Sequence, residues 1–399
     1  MVSGPMSVVA VDAGDLPLGG GLLALLRPAL SLLRPGGQLA LISSAPSVTQ
    51  DLPAWCRVEH HEYRGGDPLP DGRTSHRIVR GSLGVAKGPI DGGLSLPERA
   101  DPATGFAPRG AAVEPGGPVY PFTLVERDHV VPPEVGALYE QAVSSQWVAA
   151  RDIPWGTVKP LPVALEQALG QTMTFLAENE LSALYVPANF LPKIHPAYAE
   201  VAMFLATQLQ DESRHIEVFL RRARAGGGAL GISSVTTSQS LLSLLQLTDF
   251  TEAAFLLSVL GEGTFLDLLK FVERFAPDEA TLLLTQKARA DESRHVHFGL
   301  AHVRHALSHD PSLTGRLEAA VRKRAATMAS ASGVPAPLAD ALTILAAGGA
   351  DPRGVRKGHE AFRELLQTMH EGRTKRLELA GFTPEQAKTL SDLHTPNFM

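Results

Sequence analysis

The sequence predicts a mainly α protein: a four-helix bundle with extra C-terminal helices, preceded by a small α/β module. Three observations predict it. Four long segments, roughly 161–186, 197–225, 240–275 and 278–309, space their apolar residues three and four apart, as a helix with one buried face requires. Before residue 145 the chain is instead crowded with glycine and proline, with short apolar runs between them. The pentapeptide Asp-Glu-Ser-Arg-His stands twice, at Asp211–His215 and Asp291–His295, in the second and fourth long segments.

Taken in order, residues 1–80 read as the α/β module, with strands in SVVAVDA (7–13) and GQLALIS (37–43) around a helix that Pro28 interrupts. Residues 81–145 hold too many breakers for regular elements and read as a linker or surface-wrapping loop. Residues 146–310 form the bundle. Pro187 closes its first helix, arginines in RRARAGGG fill the last turn of the second, and about fifteen residues cross from the second to the third. Residues 311–399 supply flanking helices. Trp147 and Trp155, just ahead of the bundle, are read as core packing.

Composition sets the outer limits. A chain of 399 residues, 44% apolar and 20% charged, is ordinary globular material able to bury a large core. A net charge of −6 with no long basic run offers nothing to nucleic acid or to an anionic membrane, and neither is expected as a partner. The single cysteine, Cys56, rules out a disulfide framework and a thiolate metal cluster. With no leader-like start and no long apolar stretch, a cytoplasmic location is expected.

The pentapeptide carries the chemistry. On a helix, residues three apart share a face, so Glu212 with His215 and Glu292 with His295 each present a carboxylate beside an imidazole. One Glu-x-x-His is weak evidence; two, with identical flanks inside apolar helices, are strong. A dinuclear carboxylate site needs one further glutamate from each remaining helix. Aligning FLAENELSALY with VLGEGTFLDLL on their apolar positions sets Glu178 opposite Glu262. Glu180 is the rival for the first place, about 200° around the helix from Glu178.

The expected ligands are therefore Glu178, Glu212, His215, Glu262, Glu292 and His295, which also form the catalytic set. So hard and oxygen-rich a set suits iron or manganese rather than structural zinc, and two iron ions are expected, with a mixed manganese–iron pair admissible. Asp211 and Asp291 are each expected to accept the second N–H of a histidine on the opposing helix, with Arg214 and Arg294 offsetting the remaining negative charge. Thr174, Gln208, Phe219, Gly261, Gly263 and Ala288 are expected to line a substrate pocket, close helix packing being the other reading of the glycines. Tyr185 is read as a core tyrosine. His302, His305 and His309 are expected to face solvent, a secondary metal site being the lesser alternative.

These residues resemble the ferritin-like di-iron carboxylate superfamily, in the branch of the ribonucleotide reductase small subunit and bacterial multicomponent monooxygenases, over about residues 145–310. The resemblance implies a ferritin-like bundle whose two ferrous ions react with dioxygen. It also shows departures. Phe219 stands where the reductase subunit has its radical tyrosine, and Ala288 stands where aminobenzoate-type N-oxygenases have an extra histidine. Residues 1 to about 65 resemble the sulfur-carrier (TusA-like) family, but Leu16-Pro17 replaces its Cys-Pro pair, so the module cannot carry sulfur there and is expected to dock a partner or cover the bundle.

The resulting expectation is an oxygen-dependent di-iron oxidase or monooxygenase acting on a small organic substrate. A separate reductase is expected as electron donor, since no flavin, nicotinamide or iron–sulfur motif is visible; a homodimer is allowed. The alternatives are a ferritin-like iron-oxidising, storage or peroxide-detoxifying protein, and a metal-stabilised interaction scaffold.

Overall fold

The computed structural model describes residues 9–81, 95–111, 113, 116–328 and 334–394. The start of the first expected strand, residues 82–94 of the expected linker and the end of the terminal DLHTPNFM lie outside them. The chain divides into two compact units: Met1–Gly93 with Gly110–Pro118, and Leu94–Arg109 with Val119–Met399.

In the first unit β1 (Val9–Asp12), α1 (Leu22–Ser31), β2 (Gln38–Ser43), α2 (Pro46–Val58), β3 (Glu62–Pro68) and β4 (Thr74–Val79) follow one another. The sheet order is β1-β2-β4-β3, with β1 parallel to β2 and the other pairs antiparallel. Leu22, Leu26 and Leu30, one per turn of α1, meet Leu39 and Leu41 from alternate positions of β2, and Val48, Leu52 and Cys56 of α2 close the core. Pro28 sits inside α1 without ending it. Cys56 is fully buried and burial pushes its thiol up to about 11, so it packs as a small hydrophobe.

The second unit begins earlier than the bundle boundary expected at residue 146. Within the expected linker, α3 (Val135–Ser144) is a regular helix that buries Val135, Leu138 and Ala142. A short α4 (Ala149–Asp152) leads to α5 (Val163–Ala188) and α6 (Ala199–Arg224), which pack as a pair. The expected third helix at 240–275 is two elements. Ser234 caps α7 (Val235–Leu245), and Asp249 accepts from the Glu252 amide to start α8 (Phe250–Ala254). α8 runs into a π-helical stretch, Phe255–Glu262, and then α9 (Gly263–Arg274). Asp278 caps α10 (Glu279–His309), which packs along α9 and the π stretch and also meets α6.

Beyond the bundle, α11 (Leu313–Met328), α12 (Ala336–Ala347), α13 (Pro352–Ala380) and α14 (Pro384–Leu393) flank it, as expected. α12 packs on α5 and α13 on α9, with Phe362, Leu365 and Met369 of α13 joining the bundle core. Gly381, at φ 113°, ends α13, and Thr383 with Gln386 forms a capping box for α14. Arg222 was expected to serve the end of α6, yet it is fully buried. It donates to Glu166 on α5 (3.0 Å), to Asp278 (2.6 Å) and to Thr281 (2.7 Å), pinning three elements at one end of the bundle.

Candidate metal centre

Both pentapeptides turn inward. Only Ser213 and Ser293 face out, each bonded back to its own helix, while Asp211, Glu212, Arg214 and His215 and their counterparts at 291–295 are buried. Two overlapping groups result: Glu180, Glu212, His215 and Glu292, and Glu212, Glu262, Glu292 and His295. His215 Nδ1 lies 3.3 Å from Glu212, 3.2 Å from Glu292 and 3.5 Å from Glu180. His295 Nδ1 lies 3.1 Å from Glu212 and 3.4 Å from Glu292. Glu212 and Glu292 belong to both groups.

Glu178, assigned to this cluster from the sequence, is not in it. Its half-buried carboxylate turns toward the crossover segment and bonds Ser233, and burial raises its pKa. Glu180 takes the place, 1% exposed. The error has a physical cause. The apolar alignment assumed one helical period in both segments, but the residues before Glu262 are π-helical, so their register does not carry over to the straight α5. Tyr185, on the face of Glu178, is 58% exposed and is not a core residue.

The outer contacts cross between the two helices. His215 Nε2 lies 3.2 Å from Asp291 Oδ2, and His295 Nε2 lies 3.2 Å from Asp211 Oδ2. Arg214 and Arg294 are buried and each bridges both aspartates; they are not surface arginines. Two residues read as packing or passed over complete this layer. Trp147 Nε1 donates to Asp291 (2.7 Å), and its ring lies 6.4 Å from that of His215 in stacked geometry, while Gln146 donates to Asp211 (3.3 Å) and accepts from Arg214. The adjacent pair Gln-Trp thus serves one aspartate each.

Of the six expected pocket residues, Gln208 lines an apolar cavity with Val186, Phe190, Leu205, Leu257, Ser258 and Phe298. Gln208 Nε2 also donates to Glu262 (3.1 Å), so the cavity abuts the cluster at that glutamate. The others serve differently. Gly263 makes room for Arg376 of α13, onto which a Cβ would fall, and Arg376 donates to the Val259 carbonyl of the π stretch (3.2 Å). Thr174 holds the crossover backbone at Gly231 (2.8 Å). Phe219 and Ala288 are packed in the core, and Gly261 is buried within the π stretch. His302 is buried against Phe250 and Phe298 and bonded to Thr251 (3.1 Å), contrary to the expectation of exposure; His305 is partly buried and His309 exposed.

Without a cation the cluster is driven to take up protons. Burial, reinforced by Glu292 and Glu212, holds Glu180 well above the carboxylate range, and burial with Glu292 does the same to Glu262. Burial disfavours protonation of both imidazoles, yet the surrounding carboxylates outweigh it and raise them well above the usual histidine range. Among the described residues, eight buried atoms of this cluster lack a hydrogen-bond partner: Glu180 Oε1, both oxygens of Glu212 and of Glu292, Glu262 Oε2 and the Nδ1 atoms of His215 and His295. Native interiors leave few such atoms unpaired.

No family model matches the chain, and no curated protein matches it in sequence. Solved structures similar to it include an R2-like ligand-binding oxidase with a reconstituted Mn/Fe cofactor, at 17% identity and a TM-score of 0.45 over 66% of this chain and 94% of that one. A protein with aldehyde deformylating oxidase activity from Synechococcus matches at 16% identity and a TM-score of 0.42, over 57% of this chain and 96% of that one. These are partial likenesses of shape.

Proposed function

We propose that the bundle binds two transition-metal ions and acts as an oxygen-dependent oxidase or monooxygenase on a small organic substrate. The observation that carries this reading is the set of eight unpartnered buried donor atoms converging from four segments. Glu180 and His215 would hold one ion and Glu262 and His295 the other, with Glu212 and Glu292 shared between them. Four carboxylates against two divalent ions leave no net charge, which removes the cost of burying the carboxylates alone. The hard donor set favours iron, with manganese admissible at one position. When bound, such a pair supplies redox and Lewis-acid chemistry toward dioxygen.

The chain's own residues do the rest. Asp291 and Asp211 receive the Nε2–H of His215 and His295, so each Nδ1 presents its lone pair inward. Arg214 and Arg294 each pair with both aspartates and hold them in place, and Trp147 covers His215 from water. Gln208 orients Glu262 and lines the adjoining apolar cavity, which at about 20 Å³ has room for a molecule the size of dioxygen. Electrons would come from a separate reductase. The amino-terminal unit is read as a sulfur-carrier-like module without its thiol, kept for docking.

The test is anaerobic reconstitution with ferrous iron followed by oxygen. Two irons retained per chain and oxygen uptake that continues only with a supplied reductant are expected. Iron uptake far beyond two per chain would favour storage, and no retained metal would end the proposal.

A further inference from the structure

We propose that Asp128, His305 and His309 form a second, separate metal site that takes Zn2+, with water completing a tetrahedron. His305 and His309 are one turn apart near the end of α10, and their rings lie 4.3 Å apart. Asp128 comes from the short turn Arg127–His129. One donor atom from each of the three lies within 4.8 Å of the other two. The spacing is that of the paired histidines of many zinc sites, and two imidazoles with one carboxylate are a common three-ligand zinc set.

The finer geometry favours an ion over a chance cluster. His309 Nδ1 is 2.9 Å from the His305 carbonyl oxygen, so it is the protonated nitrogen, and Nε2 presents a free lone pair toward Asp128. His305 Nε2 is buried without a hydrogen-bond partner. Each Nε2 lies 3.9 Å from a different carboxylate oxygen of Asp128, one of which also accepts from Arg127 (3.0 Å). Ligands at zinc bond lengths in a tetrahedron stand about 3.3 Å apart, so closing on an ion needs contractions of about 0.5 to 1.5 Å among the three donors. His309, with 42% of its side chain exposed, is free to move that far.

The test titrates Zn2+ into chelator-treated full-length protein against a chromophoric competing chelator, comparing wild type with His309→Ala and Asp128→Asn. Wild type should bind one more tight equivalent than His309→Ala, and Asp128→Asn should weaken that equivalent about 10- to 100-fold. Metal-free melting should match in all three, since neither residue belongs to the core. Co2+ in place of Zn2+ should give a visible band of tetrahedral intensity that His309→Ala loses. Equal zinc stoichiometry and affinity in wild type and His309→Ala would overturn the proposal, whatever the bundle centre binds.

Discussion

Replacing Glu180 by glutamine should leave the metal-free protein nearly unchanged and weaken the metal-loaded one. In the metal-free cluster, burial and then the neighbouring Glu292 and Glu212 favour the uncharged form of Glu180, so a neutral amide of the same shape is a close substitute. The expected change in stability is below about 1.5 kcal/mol, the range of volume-conserving swaps. With metal bound, the same substitution removes an anionic donor. A loss of about 100-fold in affinity corresponds to about 2.7 kcal/mol. That should cut the melting-temperature gain on metal loading by about 3–4 °C. Glu178→Gln is the control, because its half-buried carboxylate bonds Ser233 and faces away from the cluster; it should keep two metals per chain. The assay is metal content and thermal melting of both variants with and without ferrous iron under anaerobic conditions. Wild-type loading of Glu180→Gln, or metal loss from Glu178→Gln, would refute the placement.

Asp291→Asn, which replaces the carboxylate that faces His215 Nε2 and accepts from Trp147, should lower metal affinity about 10- to 100-fold by chelator competition. Arg222→Met should cost about 3–5 kcal/mol in urea unfolding, since it takes the cation from the buried carboxylate of Glu166 and from Asp278. His302 gives a pH signature. Burial first, then His305, lowers its pKa from 6.5 to about 4. Between these values the unfolded chain takes a proton that the folded one refuses, so stability present above pH 6.5 is lost as pH falls toward 4. The loss is about 3 kcal/mol at most, and His302→Gln should flatten that part of the stability–pH curve relative to wild type.

Helical period and a repeated motif made the bundle and five of the six clustered side chains legible, because a ligand pair at i, i+3 on an apolar helix is a local pattern. What was illegible was non-local or irregular. The π stretch at Phe255–Glu262 leaves no clear mark in an apolar sequence, and it broke the alignment that chose Glu178 over Glu180. Leu181 and Tyr185 added to the error, since both are apolar yet exposed on the outer face of α5. Trp147 and Gln146 reach their aspartates across long stretches of chain, which no spacing rule records. The helix α3 was hidden by its proline-rich approach, although Val135, Leu138 and Ala142 already had helical spacing. Arg222 looked like an ordinary cation at a helix end until its partners on two other helices were in place.

The two pentapeptides make the centre nearly two-fold, and the departures from that symmetry decide its direction. Each histidine binds the aspartate of the other helix, and each arginine bridges both aspartates, so this outer layer treats the two halves alike. The glutamates from the remaining helices are not alike. Glu180 projects from a regular helix among other carboxylates, whereas Glu262 ends a π-helical stretch and is held by Gln208 and Ser258, the two polar residues of the apolar cavity. A π-helical turn is wider and less tightly bonded than an α-helical one, and such turns recur at functional sites. Arg376 secures this one from outside through the Val259 carbonyl. Any molecule in the cavity therefore meets Glu262 first, through a glutamine and a serine that already bond it. The cavity thus lies on the Glu262 side, while Trp147 packs against His215.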